Sequence, residues 1–249
     1  MNKQLSEPTN PRPADGEMVV RGVPLTTLIA TAPFLNAVFL LLRGDRPTEN
    51  ERAMLDAMLV ACCDHGAEAP STVAARTAAS TGNALHVALA AGLLAMGPKH
   101  GCAVEPAMRL ISIDESPRAV VERAVAAGER LPGFGHKVYS EHDPRTVALL
   151  ARADALNVRG RHVERALAIE EALMAVKGKR FPLNIDGCLA ALLLDLRFPS
   201  ASGNVVFILG RLPGLAAHAI EASASKTYVR AAAFASSVYP HIREESANS

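Results

Sequence analysis

Tryptophan is absent from this chain of 249 residues, and aromatic residues together make up only 4% of it. A nucleic-acid surface needs a basic stripe with rings for stacking. Here 26 basic side chains stand against 25 acidic ones with no such stripe, so no nucleic-acid partner is expected. Cysteine is scarce as well. Cys62, Cys63, Cys102 and Cys188 form no CxxC pair and follow no secretory signal, which points to reduced thiols in a cytoplasmic protein. Cys62 and Cys63 with His65 have the chemistry to hold a metal, but neighbouring cysteines on a helix point in different directions. Both read better as small buried residues, and no metal is expected. Long apolar runs are limited to LTTLIATAPFLNAVFLLL, Leu25 to Leu42. Pro33 and Asn36 interrupt it, and Arg43, Asp45 and Arg46 follow at once. It reads as two short buried helices joined at Ala32-Pro33, so no membrane segment is expected. Period-2 alternation is also missing, which leaves an all-α fold.

Apolar residues make up 49% of the chain and charged ones 20%, enough for a real core filled by alanine and branched aliphatics. The polar, proline-rich residues 1–17 read as a loosely attached tail. Thr48 and Glu51 make a capping box, followed by Met54, Leu55, Met58, Leu59 and Cys62 on one helix face. Ser116-Pro117 and Asp143-Pro144 each pair an N-cap with proline at the first helical position. An alanine-rich stretch from Ser71 breaks at Thr81-Gly82 and stops at Gly97-Pro98. Helices follow over RHVERALAIEEALMAVKG, LNIDGCLAALLLDL, GNVVFILGRL and GLAAHAIEASAS, the last two parted at Gly210/Pro213. ALHVALAAGLLAM and GCLAALLLDL are apolar nearly all round and belong inside a larger body or at an interface, which suggests a homodimer or higher homo-oligomer.

Four polar islands interrupt this apolar background: DHGAE (Asp64 to Glu68), GPKHGC (Gly97 to Cys102), LPGFGHKVYSEHDPR (Leu131 to Arg145) and NIDG (Asn184 to Gly187). His100 and His136 are each flanked by glycine, which lets a ligand approach the backbone. Asp186 precedes an apolar helix; burial raises its proton affinity while the helix N-terminus lowers it, so it is either a tuned general base or a helix cap. Arg145 and Arg211, beside histidines, suit a dicarboxylate through paired hydrogen bonds. His142 and His162 read as solvent-facing, the latter on a charged helix face with Arg159, Arg161, Glu164 and Arg165.

In this order the islands resemble the blocks of the citrate synthase superfamily. RGVPLTTLIATAPFLNAVFLLLRGDRPTENE resembles its YRG…LLL.GELPT opening; the stretch from DHGAEAPSTVAAR to GPKHGCAV resembles its DHG.N.STF.AR…GP.HGGAN; and PGFGHKVYSEHDPR and NIDG resemble its PG(F/Y)GH.VY…DPR and N(V/I)D. The resemblance implies an all-helical protein, with a large domain over 18–101 and 198–249 and a smaller one over 102–197 closing over the substrates. These would be a CoA thioester and a dicarboxylate, with CoA entering as part of the substrate and no tightly bound cofactor. By the same resemblance, His100 would hydrogen-bond the thioester carbonyl and stabilise an enol. Asp186 would move the proton on the acetyl carbon, and His136 would polarise or deprotonate the C–O group of the oxaloacetate half. His65, Arg145 and Arg211 would bind carboxylates, with Arg230 as a substitute for an Arg-Pro element from the partner subunit. Leu131, Pro132, Gly133, Phe134, Gly135 and Lys137 would contact CoA.

Within the superfamily, the compact chain and NIDGCLAALLLDL resemble stand-alone citryl-CoA lyases and the lyase module of ATP-citrate lyase more than synthases. HGCAV, where synthases have HGGAN, places Cys102 and Val104 beside the expected thioester site. Citryl-CoA cleavage is therefore the leading expectation. A citrate or 2-methylcitrate synthase, or a non-catalytic paralogue that binds CoA or a dicarboxylate, are the alternatives.

Overall fold

The computed structural model describes residues 16–225; most of the expected tail, and Arg230, lie outside the described residues. In chain order the helices are α1 (Leu25–Thr31), α2 (Phe34–Leu42), α3 (Glu49–Cys62), α4 (Pro70–Ser80), α5 (Leu85–Leu94), α6 (Val104–Ile111), α7 (Pro117–Ala126), α8 (Pro144–Ala155), α9 (Arg161–Lys177), α10 (Ile185–Asp195) and α11 (Gly203–Ser223). Before them stands one small hairpin, β1 (Val19–Val20) and β2 (Val23–Pro24). Its turn residues Arg21 and Gly22 take φ of +48° and +80°, the pattern that a two-residue hairpin turn requires. The chain divides into two compact units, Met1–Asp64 with Met96–Pro213, and His65–Ala95 with Gly214–Ser249.

Local signals explain most of the first unit. Ala32 is extended, as a residue before proline must be, and parts α1 from α2. The capping box of α3 is complete: Thr48 Oγ1 accepts from Glu51 N at 3.2 Å, and Glu51 Oε2 accepts from Thr48 N at 2.8 Å. Met54, Leu55, Met58 and Cys62 then enter the core on one face. Ser116 and Asp143 cap α7 and α8, and Gly178 ends α9 at φ +68°. α10 is the central rod, packed against α6, α8 and α9, with Leu189 through Leu193 all buried. Burying each such leucine contributes on the order of 2 kcal/mol, so this helix anchors the unit.

In the second unit α5 lies close on α4. A Cβ added at Gly92 would stand 3.0 Å from Ser71 O and 3.2 Å from Ala75 Cβ. Ala79, Ala88, Ala219 and Ala222 form its small core. The two helices that are apolar all round thus differ: α10 is enclosed, whereas Leu85, Val87 and Leu94 of α5 are exposed.

Three expectations are corrected. α11 does not break at Gly210/Pro213 but runs through Pro213, because the proline forfeits only its own N–H donor while the helix is held by packing. A Cβ at Gly210 would sit 2.9 Å from Cys62 Cβ and 3.0 Å from Leu59 O, so α11 and α3 touch backbone to backbone there. α11 is long and apolar enough to cross a membrane by length and composition, and its Arg211 is fully buried. Cys63 is exposed, since it ends α3 one residue past the buried face that holds Cys62. His162 is not solvated: its Nδ1 lies 2.8 Å from Asp195 Oδ1, which also accepts from His162 N at 3.0 Å.

Candidate active site

The segment from Leu131 to Gly135 is bolted to the start of α10. Asn184 N donates to Gly133 O (3.0 Å), Gly135 N donates to Pro182 O (2.8 Å), and Asn184 Nδ2 donates to Gly135 O (2.8 Å). Gly133 has φ +90°, and a Cβ there would lie 2.7 Å from Gly187 Cα. One at Gly187 would lie 2.4 Å from Gly133 O, so both positions require glycine. Asn184, and not Asp186, is the cap of α10, its Oδ1 accepting from Gly187 N at 3.2 Å. That removes the capping alternative for Asp186.

Asp186 lies in the first turn of α10. Its Oδ1 is buried with no hydrogen-bond partner. Burial pushes its proton affinity up to about 6, opposed by the Arg145 guanidinium and reinforced by the Asp143 carboxylate. A carboxyl group with such a value carries or releases a proton near neutral pH, the range in which a general acid or base works. Its charge is also felt at Cys62 and Cys102. Burial raises the proton affinity of both thiols, Cys62 to about 12, so they are neutral neighbours and not nucleophiles.

Arg145 is held by Asp143 through its Nε at 3.0 Å and its Nη2 at 2.8 Å. His136 stands on the exposed side, its ring stacked on Tyr139 with centroids 4.6 Å apart. Its Nδ1 accepts from Val138 N (3.1 Å) and Tyr139 N (3.2 Å), so the neutral ring carries its proton on Nε2 and presents a donor. Desolvation, joined by the Arg145 charge, outweighs Asp143 and lowers the proton affinity of His136.

His100 closes a tight turn in which Gly97 N donates to His100 O (2.7 Å) and His100 N to Gly97 O (2.8 Å). Gly101 follows at φ +79° against Met96 and Phe207. Burial, then the charges of Arg211 and Lys137, lower the proton affinity of His100, so it is neutral at neutral pH. Arg211 is fully buried in α11 and donates from Nη1 to Cys63 O (3.1 Å) and Asp64 Oδ1 (3.3 Å).

His100, His136, Lys137, Arg145, Asp186 and Arg211 all lie in the first unit, His100 under the charges of Arg211 and Lys137, and His136 and Asp186 under those of Asp143 and Arg145. His65 opens the second unit, directly after Asp64. Among the described residues no three His, Cys, Asp or Glu side chains group as metal ligands. Asp143 was legible in sequence only as a cap. Its contact with Ile185 crosses from α8 to α10 and leaves no local signal.

The family profile described as citrate synthase, C-terminal domain, matches residues 45–232. This chain belongs to the citrate synthase family. Citrate synthase of Haloferax volcanii is 33% identical over 189 residues, 73% of this chain and 49% of that protein. The chain spans about half the length of the curated relatives it matches. The solved citryl-CoA lyase of Hydrogenobacter thermophilus superposes with a TM-score of 0.84 at 38% identity, covering 91% of this chain and 90% of that one. The citrate synthase of Thermoplasma acidophilum, solved with carboxymethyl coenzyme A and oxaloacetate, gives 0.67 at 27% identity over 82% of this chain and 56% of that one. An all-helical citrate synthase fold and family membership thus stand on sequence and structure alike.

Proposed function

We propose that this protein is a citryl-CoA lyase, cleaving citryl-CoA into acetyl-CoA and oxaloacetate. The observation that carries the reading is the near end-to-end likeness to the Hydrogenobacter thermophilus lyase. Arg145 and Arg211 grip the carboxylates, and the backbone from Leu131 to Gly135, with Lys137, receives the CoA portion. As the carbon–carbon bond breaks, an enol forms on the acetyl-CoA side, and its charge needs a donor at the thioester oxygen. His100 supplies that donor, neutral because of its buried setting. Asp186, protonated below about pH 6, delivers the proton to the departing carbon.

His136 takes the hydroxyl proton as the oxaloacetate carbonyl forms, which balances the proton that Asp186 delivers to carbon. At rest its Nδ1 accepts from two backbone donors, so the neutral ring holds its proton on Nε2. To take the hydroxyl proton at Nε2, the ring must first change tautomer and give up those contacts. Closure of residues 102–197 over the substrates keeps water from the thioester. The exposed apolar side chains Leu85, Val87 and Leu94 of α5, with Ile220 of α11, pack against a second copy of the chain.

The same groups run in reverse would condense acetyl-CoA with oxaloacetate, and the likeness to the Haloferax volcanii synthase supports that second reading. The two are separated by giving the protein citryl-CoA, and separately acetyl-CoA with oxaloacetate. The lyase reading expects acetyl-CoA and oxaloacetate from the first mixture. Free CoA released only in the second overturns it.

A further inference from the structure

Asp143 is spent on more than capping α8. An N-cap needs one acceptor atom for one backbone N–H, and Asp143 Oδ1 meets that need at Arg145 N, 3.0 Å away. The same oxygen also accepts from Arg145 Nε at 3.0 Å. The second oxygen accepts from Arg145 Nη2 at 2.8 Å and from Ile185 N, the first residue of α10, at 3.1 Å. The carboxylate is buried, so these contacts are not shared with water. One group therefore ties together the guanidinium, the start of α8 and the start of α10, one residue before Asp186.

We infer that Asp143 is a positioning residue that holds Arg145 and Asp186 in one fixed arrangement, so that the carboxylate grip and the proton-transfer group act on the same substrate. The inference rests on the roles given above to Arg145 and Asp186. Its physical basis is shared geometry: a guanidinium freed of Asp143 has Asp186 as its next buried anion, and pairing there takes away both the grip and the acid. The charged and titratable groups facing Asp143 are Arg145 on α8, Asp186 and Cys188 on α10, and His136 on the preceding loop. Those facing Asp186 are Asp143, Arg145, Cys62 from α3 and Cys102 ahead of α6. Arg145 stands in both sets, and Asp143 bonds its guanidinium and the start of α10 alike.

The test follows the Asp186 carboxyl through a pH titration by carbon-13 NMR in the wild type, in D143N, in D143S and in S116A. D143S keeps a capping acceptor on α8 and serves if D143N does not fold. S116A removes a cap of similar kind from α7, away from the site, and reports what lost capping alone does. In D143N and D143S the Asp186 midpoint is expected to move down by on the order of one pH unit, since a negative neighbour is lost and Arg145 is released. Oxaloacetate binding by calorimetry is expected to weaken about tenfold, a loss of roughly 1.4 kcal/mol. S116A is expected to lower the melting temperature and change neither reading. An unmoved Asp186 midpoint in both Asp143 variants, with only the melting temperature lowered as in S116A, overturns the inference. Turnover of citryl-CoA by the wild type is measured alongside. Its absence defeats the proposed reaction, while the Asp186 titration still decides the role of Asp143.

Discussion

Replacing Asp186 with asparagine should inactivate the protein and make it more stable. The carboxyl oxygen Oδ1 is buried without a partner, and burial lifts the group from its ordinary value of 3.8 to about 6. At about 1.4 kcal/mol per pH unit, a rise of that size corresponds to roughly 3 kcal/mol. The folded state binds the proton more tightly than the unfolded one, so stability is fullest at acid pH and is lost as pH rises through about 6. Asparagine keeps the shape and has no charge to bury. The wild type should therefore fall behind D186N by most of about 3 kcal/mol between pH 4.5 and pH 8, read from urea unfolding midpoints at both pH values. Other groups titrate alike in the two proteins and cancel in the difference. Turnover of D186N should drop by about 10²- to 10⁴-fold. A D186N protein whose stability parallels the wild type at both pH values, or lies below it, refutes the argument that burial tunes this carboxyl.

The direction of reaction has its own pH signature: cleavage needs protonated Asp186, so its kcat should fall as pH rises above about 6, whereas condensation should rise through the same range. Steady-state kinetics from pH 5 to 8 reads this directly. Gly133→Ala should cost more stability than Gly82→Ala and should abolish CoA binding by calorimetry. Both positions have positive φ, worth about 1–2 kcal/mol to any side chain, but only at Gly133 does the new Cβ meet backbone, 2.7 Å from Gly187 Cα. Asp195→Ala should lower stability by about 1–3 kcal/mol with turnover unchanged, measured by thermal melting and assay. Its carboxylate caps α9 from across the fold, accepting from Gly160 N at 2.8 Å and Val163 N at 3.2 Å.

Helix starts were legible in the chain because caps are local. Thr48 with Glu51, Ser116 and Asp143 each satisfy donors within three residues, so the sequence shows the whole interaction. Asp186 was legible only as a choice between cap and base, and the structure gives the cap to Asn184. The roles of Asp143 and Asp195 were not legible, because their second partners, Ile185 and the start of α9, come from elements distant in sequence. The continuity of α11 through Pro213 depends on packing against α3, which no local propensity encodes. The tautomer of His136 likewise follows from how Val138 and Tyr139 turn back toward the ring.

The central claim is that this site breaks the carbon–carbon bond of citryl-CoA and hands a proton to the departing acetyl carbon. Cleavage of citryl-CoA in deuterium oxide, followed by mass spectrometry of the products, tests it most directly. The account predicts oxaloacetate together with acetyl-CoA carrying one deuterium in its methyl group. Citrate and free CoA, with no acetyl-CoA formed, would contradict it.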